Sequence, residues 1–165
     1  MTIGRRCRLA ASLLGVAVAA SVSPAAAEVR TPKALTACGL FRAADVRSVL
    51  GTPATLLHGA RPSECVLYGG QLLPVVVLAN SSGSRGYRNL IRAATVPVKP
   101  LRGVGTEAVM YEHFFEDPPS LVRTVIVRKV GRVLQLSTSS PGMNPPGLPR
   151  LDQLIALARI GVRRL

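Results

Sequence analysis

From residue 40 to 50, apolar side chains fall at Ala43, Val46, Val49 and Leu50, with Arg42, Asp45 and Ser48 opposite them. That spacing is the 3.6-residue period of a helix with one dry face, and Gly51 with Pro53 ends it. Three strand-like runs follow at 54–58, 64–68 and 72–79, and Gly69-Gly70 between the last two reads as a hairpin turn. The run Val75-Val76-Val77-Leu78 is apolar at every position, which predicts an interior strand covered on both faces. A second helix is expected over 84–94. Tyr87, Leu90, Ile91 and Ala94 form its i, i+3, i+4, i+7 stripe, and Arg85, Arg88, Asn89 and Arg92 its outer face.

A Pro-punctuated loop, 97–102, leads into Gly103-Val104-Gly105. Strand signals return at 107–113, 121–129 and 132–137, with Gly131 in the turn between the last two. Residues 140–149 hold four prolines and two glycines and are expected to be irregular. A final helix over 151–160 should bury Leu151, Leu154, Ile155 and Ala158. The order is helix, three strands, helix, three strands, helix, with short turns between most strands. This predicts a single α+β domain, a mostly antiparallel sheet of about six strands carrying three helices. No βαβ rhythm with a glycine-rich phosphate loop supports a dinucleotide-binding fold.

The first 27 residues stand apart from this pattern. Arg5, Arg6 and Arg8 are followed by 14 uncharged residues from Leu9 to Val22, then by Ala25-Ala26-Ala27. These are the parts of a cleavable export signal. A membrane span needs roughly 20 apolar residues, so the segment is short for one and no integral span is expected after cleavage. The Arg5-Arg6 pair suits a twin-arginine signal poorly, because Arg8 stands where an apolar residue is usual. Leu35-Thr36-Ala37-Cys38 has the letters of a lipobox but lies well beyond the apolar run, with Glu28, Arg30 and Lys33 between, and reads as accidental. The expected organisation is a signal over 1–27, a lead over 28–37 and one domain over 38–165, outside the cytoplasm.

Composition narrows the class. The 165 residues are 48% hydrophobic and 18% charged, which excludes an intrinsically disordered chain. With three Phe, three Tyr and no Trp, the core must be aliphatic. The net charge is +13, and loss of the three signal arginines leaves +10. Of the three cysteines only Cys38 and Cys65 remain after cleavage. In an oxidising compartment two cysteines in one domain most simply form a disulfide. A reactive thiol pair would want Cys-x-x-Cys spacing or a neighbouring His, and neither occurs.

Several short motifs carry a likeness. Ala37-Cys38-Gly39-Leu40 leads into a helix ending Val49-Leu50-Gly51. Glu64-Cys65-Val66-Leu67-Tyr68, Gly103-Val104-Gly105-Thr106-Glu107-Ala108 and Val127-Arg128-Lys129-Val130-Gly131-Arg132-Val133-Leu134 follow. Together they resemble the DUF3558-type family of actinobacterial secreted proteins and lipoproteins. The resemblance spans most of residues 37–160 and implies an envelope-facing domain with its two cysteines bridged, in a fold similar to the Mog1/PsbP-like architecture. It supplies no catalytic residues. The chain departs from the family in lacking a well-placed lipobox and in carrying Thr106 where an Asp is common.

An enzyme would have to be built on His58 or His113, as a small secreted hydrolase or a metal-dependent catalyst. No Gly-x-Ser-x-Gly elbow is present, and the serines of Asn80-Ser81-Ser82-Gly83-Ser84 read as a link between strand and helix. Glu112-His113-Phe114-Phe115-Glu116-Asp117 is the one acidic cluster, so His113, Glu116 and Asp117 are the metal candidates. The plainer reading is a solvated turn between strands, closed by Pro118-Pro119 with Phe114 and Phe115 turned inward, because no second His or Cys completes a tetrahedral set. No cofactor is expected.

The basic residues give the stronger functional expectation. Arg85, Arg88 and Arg92 recur on one helix, Lys99 and Arg102 follow in the next loop, and Arg159, Arg163 and Arg164 cluster near residue 165. Guanidinium groups offer planar paired donors that suit phosphate and carboxylate. The expectation is a non-enzymatic binding module whose partner is an anionic envelope component: a lipid headgroup, a wall polymer or an acidic protein surface. Nucleic acid is not expected, since export removes it and few aromatics are present for base stacking.

Overall fold

The computed structural model describes residues 36–142 and 147–165. The expected signal over 1–27 and most of the lead over 28–37 lie outside them. Seven strands form one sheet in the order β1-β2-β3-β7-β6-β5-β4, and every neighbouring pair is antiparallel. They are β1 (Ala54–His58), β2 (Glu64–Gly69), β3 (Val75–Asn80), β4 (Lys99–Pro100), β5 (Glu107–Glu116), β6 (Pro119–Lys129) and β7 (Arg132–Pro141). The helices are α1 (Ala43–Leu50), α2 (Gly83–Ala93) and α3 (Leu151–Arg163), with a 3-10 turn at Cys38–Leu40 ahead of α1. The protein is a single α+β domain, as the element order predicts.

The strand β6 explains the layering. Val125, Ile126 and Val127 are consecutive and all but inaccessible, and successive side chains on a strand point to opposite faces. Val125 and Val127 join the main core with Leu134 and Leu136 of β7 under α1 and α3. Ile126 joins Val109 and Val133 under Tyr87 of α2 on the other face. A strand buried on both sides needs apolar residues at every position, and β6 supplies them where two helices sandwich it.

The double-sided cover was expected at Val75–Leu78, and that expectation is corrected. The strand β3 does lie inside the sheet, but Val76 is 40% exposed. The reason is that α2 packs over β6 and β7 and leaves the second face of β1, β2 and β3 open. The α3 face is corrected as well. Leu151 and Ile155 are only half-buried, while Leu154, Leu157, Ala158 and Gly161 form the i, i+3, i+4, i+7 stripe that meets the sheet. The helix runs on to Arg163, and the added turn moves the centre of its apolar face along the chain. Other strand limits also differ, and β3 starts at Val75 rather than 72. Lys99–Pro100 pairs with Met110 and Val109 as an edge strand, a sheet position where proline is tolerated. The β5–β6 hairpin reaches Glu116 and Pro119, beyond the expected end at His113. Ser140 and Pro141 end β7 inside the segment expected to be irregular.

Covalent and ionic ties hold the helices to this sheet. Cys38 and Cys65 form a disulfide across 27 residues, with Cα atoms 5.0 Å apart, joining the 3-10 turn to β2. Asp45 accepts the Arg42 backbone N–H at the start of α1 (3.1 Å) and pairs with Arg164 beyond the end of α3 (2.6 Å). The hydrogen bond from Arg164 holds the Asp45 carboxyl below the usual carboxylate range. Gly161 allows α3 to sit close, since a Cβ there would lie 2.8 Å from Leu134 Cδ2 and 2.9 Å from Phe41 Cζ.

Three outcomes follow. Replacing both cysteines by alanine should destabilise the fold by about 3–4 kcal/mol, the loop-closure value for this span, read from denaturant midpoints. Gly161→Ala should destabilise by about 1–2 kcal/mol, because overpacking against Phe41 outweighs the roughly 0.5–1 kcal/mol that alanine gains in helix propensity. Asp45 has a depressed folded-state pKa, so its contribution is present at neutral pH and lost as pH falls through the carboxylate range and below. Asp45→Asn should therefore weaken the acid dependence of the melting temperature between about pH 5 and 2, with little change in its slope above pH 6.

A basic end of the sheet as the candidate functional site

Antiparallel pairing sends alternate connections to opposite ends of the sheet. The β1–β2 loop, the β3–α2 link, the β4–β5 loop and the β6–β7 turn all emerge at one end. The register places Glu64 beside Leu78, Asn80 beside Val133, Lys129 beside Arg132 and Glu107 beside Arg128. The last turn of α3 reaches the same end, where Lys129 Nζ donates to Val162 O at 2.7 Å and Arg132 Nη1 to Leu165 O at 2.9 Å. Arg61, Arg102, Arg128, Lys129, Arg132, Arg159 and Arg163 therefore gather here from loops far apart in sequence. The opposite end carries Glu116 and Asp117 at the β5–β6 turn.

Two acids at the basic end, Glu107 and Asp45, are engaged, while Glu64 at the start of β2 has no cation within 4.0 Å among the described residues. Glu107 takes a paired contact from Arg128, Nη2 to Oε1 at 2.9 Å and Nε to Oε2 at 3.1 Å. The Arg128 hydrogen bonds hold the Glu107 carboxyl below its usual range and raise the guanidinium in turn. Asp45 is held by Arg164. Among the described residues, Lys129, Arg159 and Arg163 have no carboxylate within 4.0 Å.

These three cations line an open depression of about 500 Å3 between the β4–β5 loop, the β6–β7 turn and α3. Gly103 to Thr106 form its far wall. Gly105 holds that wall against β6: its φ is 64°, and a Cβ would lie 2.5 Å from Val127 Cγ1 and 2.7 Å from Arg128 O. Thr106 N donates to Arg128 O at 2.8 Å. The volume falls in the roughly 300–1,000 Å3 range of small-ligand sites. A second depression of about 560 Å3, with Arg61 and Arg132 on its rim beside Asn80 and Ser81, lies across the β6–β7 turn.

The turn between the two depressions breaks a local rule. Lys129 pairs with Arg132, leaving a two-residue loop whose residues both have positive φ, 42° at Val130 and 74° at Gly131. Such turns favour Asn-Gly, and a β-branched residue with positive φ is strained. Val130 is also 83% exposed, the most accessible large apolar side chain among the described residues.

The expected anion-binding residues are spread over several surfaces. Arg85, Arg88 and Arg92 lie on the outer side of α2, across the sheet from α3, and Arg88 is near enough to Glu107 to act on its charge. Lys99 lines a separate depression of about 210 Å3 with Glu112 and Leu151. Arg102 adjoins Gly103 at the basic end. Sequence reading passed over Lys129 and Val130, although a valine beside glycine in a two-residue turn flanked by cations was a visible signal.

The enzyme candidates are far apart. His58 is on the edge strand β1 and His113 on β5, five strand spacings or about 24 Å away. The His113 ring sits edge-on to Phe115, with centroids 4.0 Å apart, and the expected inward turn of the phenylalanines is corrected: Phe114 and Phe115 lie on the extended end of β5 and are exposed. Glu116 leaves β5 on the face opposite His113, and Asp117 lies in the following turn. Among the described residues, no three His, Cys, Asp or Glu side chains are grouped to hold a metal ion.

Among the described residues no helix is long and apolar enough to cross a membrane. No protein-family model matches the chain, and no curated protein matches it. A crystal structure from Bacteroides thetaiotaomicron VPI-5482 is similar over 61% of this chain and 39% of its own, at 12% identity and a TM-score of 0.45. The chain thus spans well under half the length of that protein.

Proposed function

We propose that this protein is an exported, non-enzymatic binding module of the cell envelope that engages an anionic component through the basic end of its sheet. The observation that carries the reading is the cavity where Lys129, Arg159 and Arg163 converge with no facing carboxylate among the described residues. Cations that served only solubility would have no reason to meet around one depression. The disulfide suits an oxidising compartment, and the export-like first 27 residues and the DUF3558-type resemblance point the same way. The field of such a site raises the local concentration of anions, and salt screens it over about 8–10 Å.

The test is retention of the folded, disulfide-bonded protein on its own envelope fraction at about 20 mM and about 500 mM salt, ionic strengths on either side of physiological screening. Retention at low salt that is lost at high salt and in an Arg159→Ala/Arg163→Ala variant is the expected outcome. Retention that ignores both salt and this variant, or turnover that vanishes on His58→Ala or His113→Ala, would overturn the reading.

A further inference from the structure

We infer that the anionic partner is the surface of a phosphate-bearing lipid bilayer, met by the β6–β7 turn with Val130 as its inserting tip. The inference rests on the reading of the basic end as an anion-binding surface and adds the identity of what is bound. A wall polymer or a soluble anion would use the cations alone. Neither accounts for an aliphatic side chain placed at the apex of the turn, flanked by Lys129 and Arg132, with a basic depression on each side.

The physical case has three parts. First, Val130 is 83% exposed and held at φ 42°, so it contributes neither packing nor relaxed backbone to the fold. Asparagine or glycine would suit that φ better. Second, cations outnumber acids around the turn, with Glu64 at the start of β2 as the acid left unpaired at this end among the described residues. Lys129, Arg132, Arg159 and Arg163 border the turn, and the nearest acid along β5 and β6, Glu107, is bound to Arg128. The carbonyl end of α3 opposes this by about half an elementary charge, far less than the four cations supply. Third, the geometry suits a plane. The tip projects from the end of the sheet, the depression of about 500 Å3 beside it offers Lys129, Arg159 and Arg163 to a lipid phosphate, and the acidic β5–β6 turn lies at the other end, away from the anionic surface. A cation near such a surface strengthens binding by about fivefold, and an apolar tip adds a contribution that salt does not screen.

The chain contains no tryptophan, so Val130→Trp introduces a single fluorophore at the tip. The full disulfide-bonded protein is titrated with vesicles of phosphatidylcholine alone and of phosphatidylcholine with phosphatidylglycerol. Expected are a blue shift of the Trp emission with phosphatidylglycerol vesicles only, and a loss of affinity of about 25-fold in Arg159→Ala/Arg163→Ala. Val130→Asn should melt at the same or a higher temperature than the parent yet bind these vesicles about threefold more weakly. A Val130→Asn variant that folds and binds vesicles as the parent does would overturn the inserting tip, as would a Trp emission that stays unshifted on vesicle-bound protein. A parallel arm with inorganic phosphate and with the lipid-free envelope polymer separates the two readings. Salt-sensitive polymer or phosphate binding without vesicle binding overturns the bilayer and leaves the anion-binding module standing. No binding in any arm overturns both.

Discussion

The structure depends on one strand that water cannot reach from either side. Val125, Ile126 and Val127 of β6 are buried in succession, and each such side chain stabilises the fold by roughly 1.5–3 kcal/mol relative to exposure. That burial requires a helix on each face, which fixes α3 over Val125 and Val127 and α2 over Ile126. The end of the same strand carries Arg128 and Lys129 into the β6–β7 turn. Gly105 presses the β4–β5 loop onto Val127 and Arg128, and Lys129 reaches the last turn of α3. The basic end is thus positioned by the strand whose centre is buried on both faces.

The gathered cations must be stabilised without being neutralised. A carboxylate partner for each would cancel the field. Instead, Lys129 donates to the Val162 backbone carbonyl. Backbone carbonyls orient a cation and satisfy its donors while leaving most of its charge uncompensated, and the carbonyl end of a helix favours cations nearby. Glu107 and Asp45 are each committed to one arginine, Arg128 and Arg164. Lys129, Arg159 and Arg163 keep their charge for the cavity they share.

Much of the fold was legible because the period of apolar residues changes cleanly from helix to strand and back. The limits of β1 and the start of β2 coincide with the pattern, and the Cys38–Cys65 pair needed only the count of cysteines beyond the first 27 residues. Cover was not legible. Val75–Leu78 and Val125–Val127 look equally apolar, and only the reach of the 11-residue α2 decides that Ile126 is buried and Val76 is not. The site was half-legible for a similar reason. Arg85, Arg88 and Arg92 are conspicuous because they are close in sequence, yet they lie outside the cavity. Its residues, Lys129 on β6 and Arg159 and Arg163 on α3, are joined only by the packing of that helix on that strand.

Of the exposed apolar residues, Phe114 and Phe115 stand near the end of the β5–β6 hairpin, and the others divide according to whether packing explains them. Leu57, Tyr68 and Val76 lie on β1, β2 and β3, on the face that α2 is too short to cover, so their exposure follows from the length of one helix. Val130 has no such explanation. It is at a turn, where no helix could cover it, and in a backbone region that costs a β-branched residue of order 1–3 kcal/mol. Local propensity, burial and turn chemistry agree along most of this chain, and at residue 130 all three favour a different side chain. Such conflicts concentrate where a sequence answers to something other than its own stability. Here the conflict stands between two basic depressions, at the end of the strand whose centre is buried on both faces, which is the place where an outside partner would be met by a charged surface.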